Sequence, residues 1–346
     1  MARLAAPVAA TRTAVRDALR GLPRDALVLV ACSGGADSLA LATATAFVAP
    51  RLGLRTGLVS VDHGLQPGSA RRAEAVVDWA AKLGFEPAVA VPVRVAGRPG
   101  GPEAAARQAR YEALFAAARE HRASMVLVGH TRDDQAETVL LALARGAGPR
   151  GMAGMAPRSV RDEVILARPF LDVPRATTRA ACAELGLTPW DDPHNTDPAY
   201  TRSRVRAALP LLVEALGPAV VANLAGTARL LAADTAALDA LAERALVEAS
   251  DPDGALRVAD LVGLPDAVRG RVLRLYALRS GASPGALGHR HIDALDALVT
   301  SWRGQGPVAL PGGRRVRRTE GRLVRVGGPV GDAEPARGEP AGGVVP

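Results

Sequence analysis

The sequence predicts an α/β protein: a doubly wound parallel sheet followed by a mainly helical C-terminal domain. Three observations predict it. Apolar runs of strand length alternate with helix-length stretches from about residue 27 to residue 129, and that alternation winds a parallel sheet with helices on both faces. A tight loop, Ser33-Gly34-Gly35-Ala36-Asp37-Ser38, joins the first such run to a helix. Beyond residue 216 the pattern turns long and Ala/Leu-rich, up to a basic stretch at 314–326.

Each element follows in order. Residues 8–21 put Val8, Val15 and Leu19 at apolar positions of a helix that closes at Gly21. Ala26–Cys32 is long enough for a buried strand and too short for a helix. A Leu-Ala-rich helix over 38–48 stops before Pro50. A second strand is expected at 55–62, a helix at 69–83 ended by Gly84, and a third strand at 86–93. After a Pro/Gly loop at 98–102 come a helix over 103–121 and a fourth strand at 125–129. Ligands of such sheets sit at the carboxyl ends of strands. Four features fall there: the Ser33–Ser38 loop, Asp62-His63-Gly64, the Pro99–Pro102 loop, and His130–Asp134.

Past residue 150 the periodicity is irregular. Arg150–Pro157 reads as a mobile Gly/Met-rich loop, 164–167 as a short strand, 174–185 as a helix, and Trp190–Pro198 as an irregular polar loop. A helix then carries Arg202, Arg204 and Arg206. Residues 218–249 read as one long helix and 265–300 as one or two more. Arg314–Val326 reads as a basic hairpin turning at Glu320-Gly321, and the Pro/Gly-rich tail as disordered. The expected domains are 1–215, 216–326 and a tail of 327–346.

Composition bounds the function. With 346 residues and 48% apolar content the chain can bury a sizeable core, built mostly of Ala, Leu and Val because aromatics are 3%. The net charge is +8 and the pI about 10.6, which favours a polyanionic partner such as nucleic acid. Cys32 and Cys182 stand far apart in sequence, which fits a reducing compartment and no disulfide framework or zinc ribbon. No apolar stretch reaches the roughly 20 residues that span a bilayer. The chain therefore reads as cytoplasmic, without a membrane partner.

The Ser33–Ser38 loop is built for phosphate. Glycines let backbone N–H groups turn toward an anion, and the helix that follows aims its free N–H groups and positive dipole end at the same place. In His130-Thr131-Arg132-Asp133-Asp134-Gln135-Ala136-Glu137-Thr138, Asp133 is placed to cap the helix that opens there. Asp134 and Glu137, three apart, share a face. Carboxylates facing a phosphate site can hold Mg²⁺ or a cationic substrate. Arg107 and Arg110 lie on roughly one helical face, from which two guanidiniums can offset phosphate charge in a transition state.

The loop lacks the Gly-Lys-Ser/Thr ending of a Walker A loop and the three-glycine dinucleotide fingerprint. Its Ser-Gly-Gly-x-Asp-Ser pattern resembles the pyrophosphate loop (PP-loop) of the N-type ATP pyrophosphatases. Members of that superfamily transfer AMP from ATP and release pyrophosphate. Further segments follow in order: Val61–Leu65, Glu103…Arg107…Arg110-Tyr111, the His130–Thr138 stretch, and Arg145-Gly146-Ala147-Gly148 with Gly151-Met152. Then come Arg168-Pro169-Phe170-Leu171, Asp192…Asn195, and Tyr200…Arg202…Arg206 with Leu209-Pro210. The whole series is similar to the tRNA(Ile)-lysidine synthase family and covers roughly residues 27–215. It departs at Gln66, where that pattern has Arg, and at Ser203, where it has Asn.

The resemblance implies an adenine nucleotide alpha hydrolase-like fold and a two-step ligation on the wobble cytidine of a CAU-anticodon tRNA(Ile). The C2 oxygen takes AMP from ATP, and free lysine then displaces AMP through its ε-amine. It implies that Ser33, Gly34, Gly35, Ala36, Asp37 and Ser38 bind ATP, and that Asp37 with Asp133 holds Mg²⁺. Arg107 and Arg110 would serve the α-phosphate, and Asp133, Asp134 and Glu137 the lysine ammonium or a second metal. Arg202, Arg206, Arg314 and Arg315 would contact tRNA. A homodimer is compatible with the resemblance, and the second C-terminal domain of longer relatives is not expected. Two rivals differ in kind. A tRNA thiolase of the same superfamily commonly needs paired cysteines or an iron–sulfur cluster. A non-catalytic ATP- and RNA-binding module would not need the acids. His289-x-His291-x-Asp293 reads as surface histidines.

Overall fold

The computed structural model describes residues 4–64, 66–97, 101–161, 163–193 and 196–326. The tail expected to be disordered, and Asn195 of the polar loop, lie outside them. The described residues form two compact units that divide between Ala232 and Ala233. Sequence reasoning put this boundary at 215/216. The division instead falls inside one 30-residue helix, α9 (Val220–Ala249).

The first unit is the wound sheet. Strands β1 (Leu27–Ala31), β2 (Arg55–Asp62), β3 (Ala88–Pro92), β4 (Met125–Leu127) and β6 (Val164–Ala167) run parallel, and β5 (Arg158–Arg161) adds an antiparallel edge. Their order is β3-β2-β1-β4-β6-β5. Val28 lies opposite both Thr56 and Met125, so β1 is central. Successive side chains of a strand face opposite sides, and both sides of β1 are covered. Val28 and Val30 join a core with α1 (Ala6–Leu19), α2 (Ala36–Val48) and Cys182 of α7 (Arg175–Glu184). Leu27 and Leu29 join Leu114 and Phe115 of α4 (Gly101–Glu120). Two-sided burial is why this strand is continuously apolar rather than alternating.

The remaining helices of this unit are α3 (Ser69–Lys82), α5 (Arg132–Ala144), α6 (Pro149–Met152) and α8 (Thr201–Leu216). The short α6 stands where a mobile loop was expected. The Gln135 side chain clamps the loop after it, accepting from the Met155 N–H at 2.8 Å and donating to the Met155 carbonyl at 3.0 Å. Strand β5 escaped the sequence reading because Arg-Ser-Val-Arg is polar and exposed, which suits an edge strand.

The second unit is mainly helical, as expected, and also carries a small sheet. Helices α10 (Val258–Val262), α11 (Asp266–Arg279) and α12 (His289–Thr300) accompany an antiparallel sheet. That sheet runs β7 (Leu256–Arg257), β10 (Arg322–Val326), β9 (Arg314–Thr319), β8 (Val308–Leu310). Leu246, Leu256, Leu273, Tyr276, Leu295, Val316 and Leu323 form its core, and the Tyr276 hydroxyl donates to the Leu323 carbonyl at 2.9 Å. The expected hairpin at Glu320-Gly321 is present. Its outer partners β7 and β8 are two and three residues long and have no local signature. Among the described residues no single helix is long and apolar enough to cross a membrane.

Candidate active site

The chain runs outward from β1 to β2 and β3, then returns to place β4 on the other side of β1. The loops after β1 and β4 thus flank a topological switch point, where open parallel sheets bind ligands. The Ser33–Ser38 loop follows β1, and the His130–Glu137 stretch follows β4. Gly129 lets them approach: a Cβ there would sit 3.0 Å from the Asp37 carbonyl oxygen. Gly34 has φ +83°, a left-handed turn that favours glycine.

The loop is braced from within. Ser38 Oγ donates to the Gly35 carbonyl at 2.9 Å and accepts from the Ser33 N–H at 3.2 Å. Neither Ser33 nor Asp37 caps α2: the N-cap is Gly35, and it makes no side-chain bond. The first-turn N–H groups, at Ala36, Asp37 and Ser38, are therefore left for an anion. Trp190 N–H closes on the Gly34 carbonyl at 3.0 Å. Gln66, one of the two departures from the family pattern, donates to Asp192 Oδ1 at 2.7 Å. Ser203, the other, is buried on α8.

Asp37 accepts the Thr178 hydroxyl on one oxygen and faces Arg175 Nε at 3.7 Å with the other. Burial raises its carboxyl to about 6, against the Thr178 hydrogen bond and with help from the charge of Asp134. It is an under-compensated carboxylate beside a phosphate loop. Mg²⁺ takes one or two carboxylates and completes its shell with phosphate and water, and Asp37 fits that demand. Asp133 fits less directly, because its Oδ2 accepts the Arg175 N–H at 2.8 Å. Among the described residues no group of three His, Cys, Asp or Glu side chains is arranged to hold a metal ion.

Asp133 does not cap its own helix. Thr131 is the N-cap of α5, in a capping box with Asp134. Asp133 instead satisfies the first N–H of α7. Asp134 is held at about 2: burial pushes it up, but Arg175, His130 and the Thr131 donors outweigh that. Glu137 is completely buried. It takes Arg175 Nη2 at 3.1 Å, Arg202 Nε at 3.0 Å and Arg206 Nε at 2.9 Å. Arg202 also donates to Thr138 Oγ1 at 2.9 Å. Arg202 and Arg206, expected on tRNA phosphates, therefore rest on the acids in this structure.

Arg107 and Arg110 lie across the crevice on α4, 5.0 Å and 5.5 Å from the Tyr111 ring centroid. Burial lowers Arg107, and the charges of Arg110, Arg202 and Arg168 lower it further, against the pull of Tyr111. His130 is driven well below its ordinary range by burial and by Arg110, Arg168 and Arg107, against the pull of Asp134. Its Nδ1 is buried and unpartnered. A cationic cluster thus adjoins an acidic one, with the charge of Arg202 felt at Arg107 and that of Asp134 at His130. Arg175 and Thr178 are the members that sequence reasoning missed, and Arg168 was named there without a role. In an arginine-rich chain no local signal separates them, although Arg168 opens the Arg-Pro-Phe-Leu segment of the family pattern. Arg315, on the basic hairpin, is exposed, and Arg314 is half-buried beside Gly281.

Residues 10–212 match the family model of the PP-loop domain, and residues 256–324 match that of the TilS substrate binding domain. The tRNA(Ile)-lysidine synthase of Salinispora arenicola is 67% identical over 327 residues, covering 94% of this chain and 98% of that protein. That of Thermobifida fusca is 59% identical over 319 residues, covering 92% and 97%. Among solved structures, the U34-tRNA thiolase NcsA from Methanococcus maripaludis with its [4Fe-4S] cluster shares the fold. Its TM-score is 0.54 at 20% identity, over 65% of this chain and 80% of that one. With both domains matched and relatives this similar along nearly its whole length, the chain belongs to the tRNA(Ile)-lysidine synthase family.

Proposed function

We propose that this ATP-using ligase joins lysine to C2 of the wobble cytidine of a CAU-anticodon tRNA(Ile), forming lysidine and releasing AMP and pyrophosphate. The observation that carries the reading is the meeting of three sites at one switch point. These are a phosphate loop at a helix N-terminus without a side-chain cap, an arginine cluster around Tyr111 and His130, and a buried acidic pair on α5.

In the first step Ser33, Gly34, Gly35 and Ser38 hold the leaving pyrophosphate. Arg107 and Arg110 offset charge at the α-phosphate as the C2 oxygen attacks it. Asp37 would hold Mg²⁺, which would supply charge neutralisation to the phosphates. The base has to be unstacked and read on its edges, as in single-stranded RNA loops. In the second step Asp134 and Glu137, with Asp133, orient the lysine ammonium. The ε-nitrogen bonds to C2, the C2–O bond breaks, AMP leaves with that oxygen, and a carboxylate takes the amine proton. Arg314 and Arg315 are the proposed tRNA phosphate contacts in the second unit. The thiolase reading suffers from its cysteines. Burial raises both thiols, Cys182 to about 11, whereas sulfur chemistry needs accessible thiolates.

Incubation with α-labelled ATP, CAU-anticodon tRNA(Ile) and each amino acid in turn tests this. AMP should move to the tRNA and be released when lysine is added. AMP that stays on the tRNA when lysine is added, or that a different amino acid releases, would overturn the substrate.

A further inference from the structure

Asp134 and Glu137, two of the three acids proposed to receive the lysine amine, have all four carboxylate oxygens engaged in the free protein. Asp134 Oδ2 accepts the Thr131 N–H at 2.8 Å and the Thr131 hydroxyl at 2.7 Å. Asp134 Oδ1 takes Arg175 Nη2 at 2.8 Å and Arg206 Nη2 at 3.4 Å. Glu137 Oε1 takes Arg175 Nη2 at 3.1 Å and Arg206 Nε at 2.9 Å. Glu137 Oε2 takes Arg202 Nε at 3.0 Å and Arg206 Nη2 at 3.4 Å. A carboxylate offers about four lone-pair sites, and an alkylammonium brings three donors. The amine can therefore reach this pair only by displacing a donor, and guanidiniums hold three of its four oxygens.

The three guanidiniums are not equally held. Arg175 opens α7, is anchored by its own N–H on Asp133, and reaches Asp37 as well. Arg202 adds bonds to the Asp134 carbonyl and the Thr138 hydroxyl. The contacts of Arg206 among the described residues run to the two carboxylates, and two of them are 3.4 Å long. Its side chain is also the most exposed, at 31% against 17% and 24%. Its charge is felt at Asp37 in the phosphate loop.

We propose that Arg206 is a gating residue, which fills the ammonium site of the free enzyme and leaves it for an arriving phosphate oxyanion. The amine then enters second. This rests on the lysine-ligation reading and extends it to the order of binding. A guanidinium and a phosphate form a charge-assisted, two-pronged pair. The incoming ammonium replaces the departed positive charge one for one, so the buried acids are compensated in both states. The oxyanion comes either from the nucleotide or from the tRNA backbone. The gate keeps lysine out until at least one of them is in place.

Equilibrium dialysis of labelled lysine against the full chain tests the gate. The proteins are wild type, Arg206→Ala and Arg206→Lys. Each is measured alone, with a non-hydrolysable ATP analogue, with CAU-anticodon tRNA(Ile), and with both. Free wild type should bind lysine at least about tenfold more weakly than the ligated form, because its competent fraction is small. The separate nucleotide and tRNA arms identify which phosphate draws Arg206 away. Arg206→Ala should bind lysine with neither present, within about threefold of ligated wild type. Arg206→Lys keeps a cation on the stem and should stay closed. Melting curves accompany each variant, and a folding defect would lower lysine binding rather than raise it. Free wild type that binds lysine as well as the ligated form, or Arg206→Ala that gains nothing, overturns the gate alone. If no form binds lysine in any arm, the lysine reading fails and the gate falls with it.

Discussion

Arg175 places Nη2 2.8 Å from Asp134 Oδ1, joining α7 to α5 across 41 positions of sequence. The same guanidinium reaches Glu137 and Asp37, so it ties the acids after β4 to the phosphate loop after β1. Its charged form is favoured by Asp134, Glu137, Asp37 and Asp133, although burial alone would lower it. Breaking a buried pair by removing one partner costs about 3–5 kcal/mol. Glu137→Gln leaves three guanidiniums on a neutral amide. It should lower unfolding stability by an amount in that range, read from urea denaturation at pH 7.

Asp37 gives a prediction of opposite sign. Its folded carboxyl is raised to about 6 from 3.8, so the native state binds that proton more tightly than the unfolded state. The resulting penalty is absent below the unfolded value and complete above about 6. Asp37→Asn should match wild-type stability at about pH 3 and exceed it by about 1–3 kcal/mol at pH 8. It should also reduce pyrophosphate release by about a hundredfold or more, as removing a key electrostatic group does. Melting at both pH values with a release assay checks both.

The pH profile of the first half-reaction follows from the same group. Asp37 binds a cation only when ionised, so pyrophosphate release without lysine should rise as pH passes through about 6. Asp134, held at about 2, stays ionised across this range. The Thr178 hydroxyl lowers Asp37 by donating to it. Thr178→Val should therefore move this limb to higher pH, while the buried methyl keeps the packing.

How much of this was legible in the sequence depended on locality. The phosphate loop and the five parallel strands were readable because their signals are contiguous: two glycines and two hydroxyls between an apolar run and a helix. The cap of α5 was misassigned to Asp133, although Thr131 with an acid three residues on is the stronger signature. Arg175 and Thr178 were invisible, since their meaning lies in partners 38 to 141 positions away. Arg206 was singled out as a basic residue. Its resting place on Glu137 depends on how α8 packs against α5.

The basic hairpin separates binding from folding. Arg315 and Arg317 are exposed on β9, whereas Arg318 donates to the Leu298 carbonyl at 2.9 Å and stacks on Trp302. The double variant Arg315→Ala/Arg317→Ala should weaken tRNA binding and reduce the salt slope by about one for each phosphate no longer neutralised. Arg318→Ala should mainly lower the melting temperature. Filter binding across a salt series, with melting curves, distinguishes them.

The most direct measurement is mass spectrometry of tRNA nucleosides after incubation with ATP, Mg²⁺, ¹⁵N-labelled lysine and CAU-anticodon tRNA(Ile). One cytidine, at the wobble position, should carry the mass of lysine and its label, and none should when Asp37 is Asn. An unmodified wobble cytidine despite pyrophosphate release, or a label from a different amino acid, would contradict lysine ligation at this site.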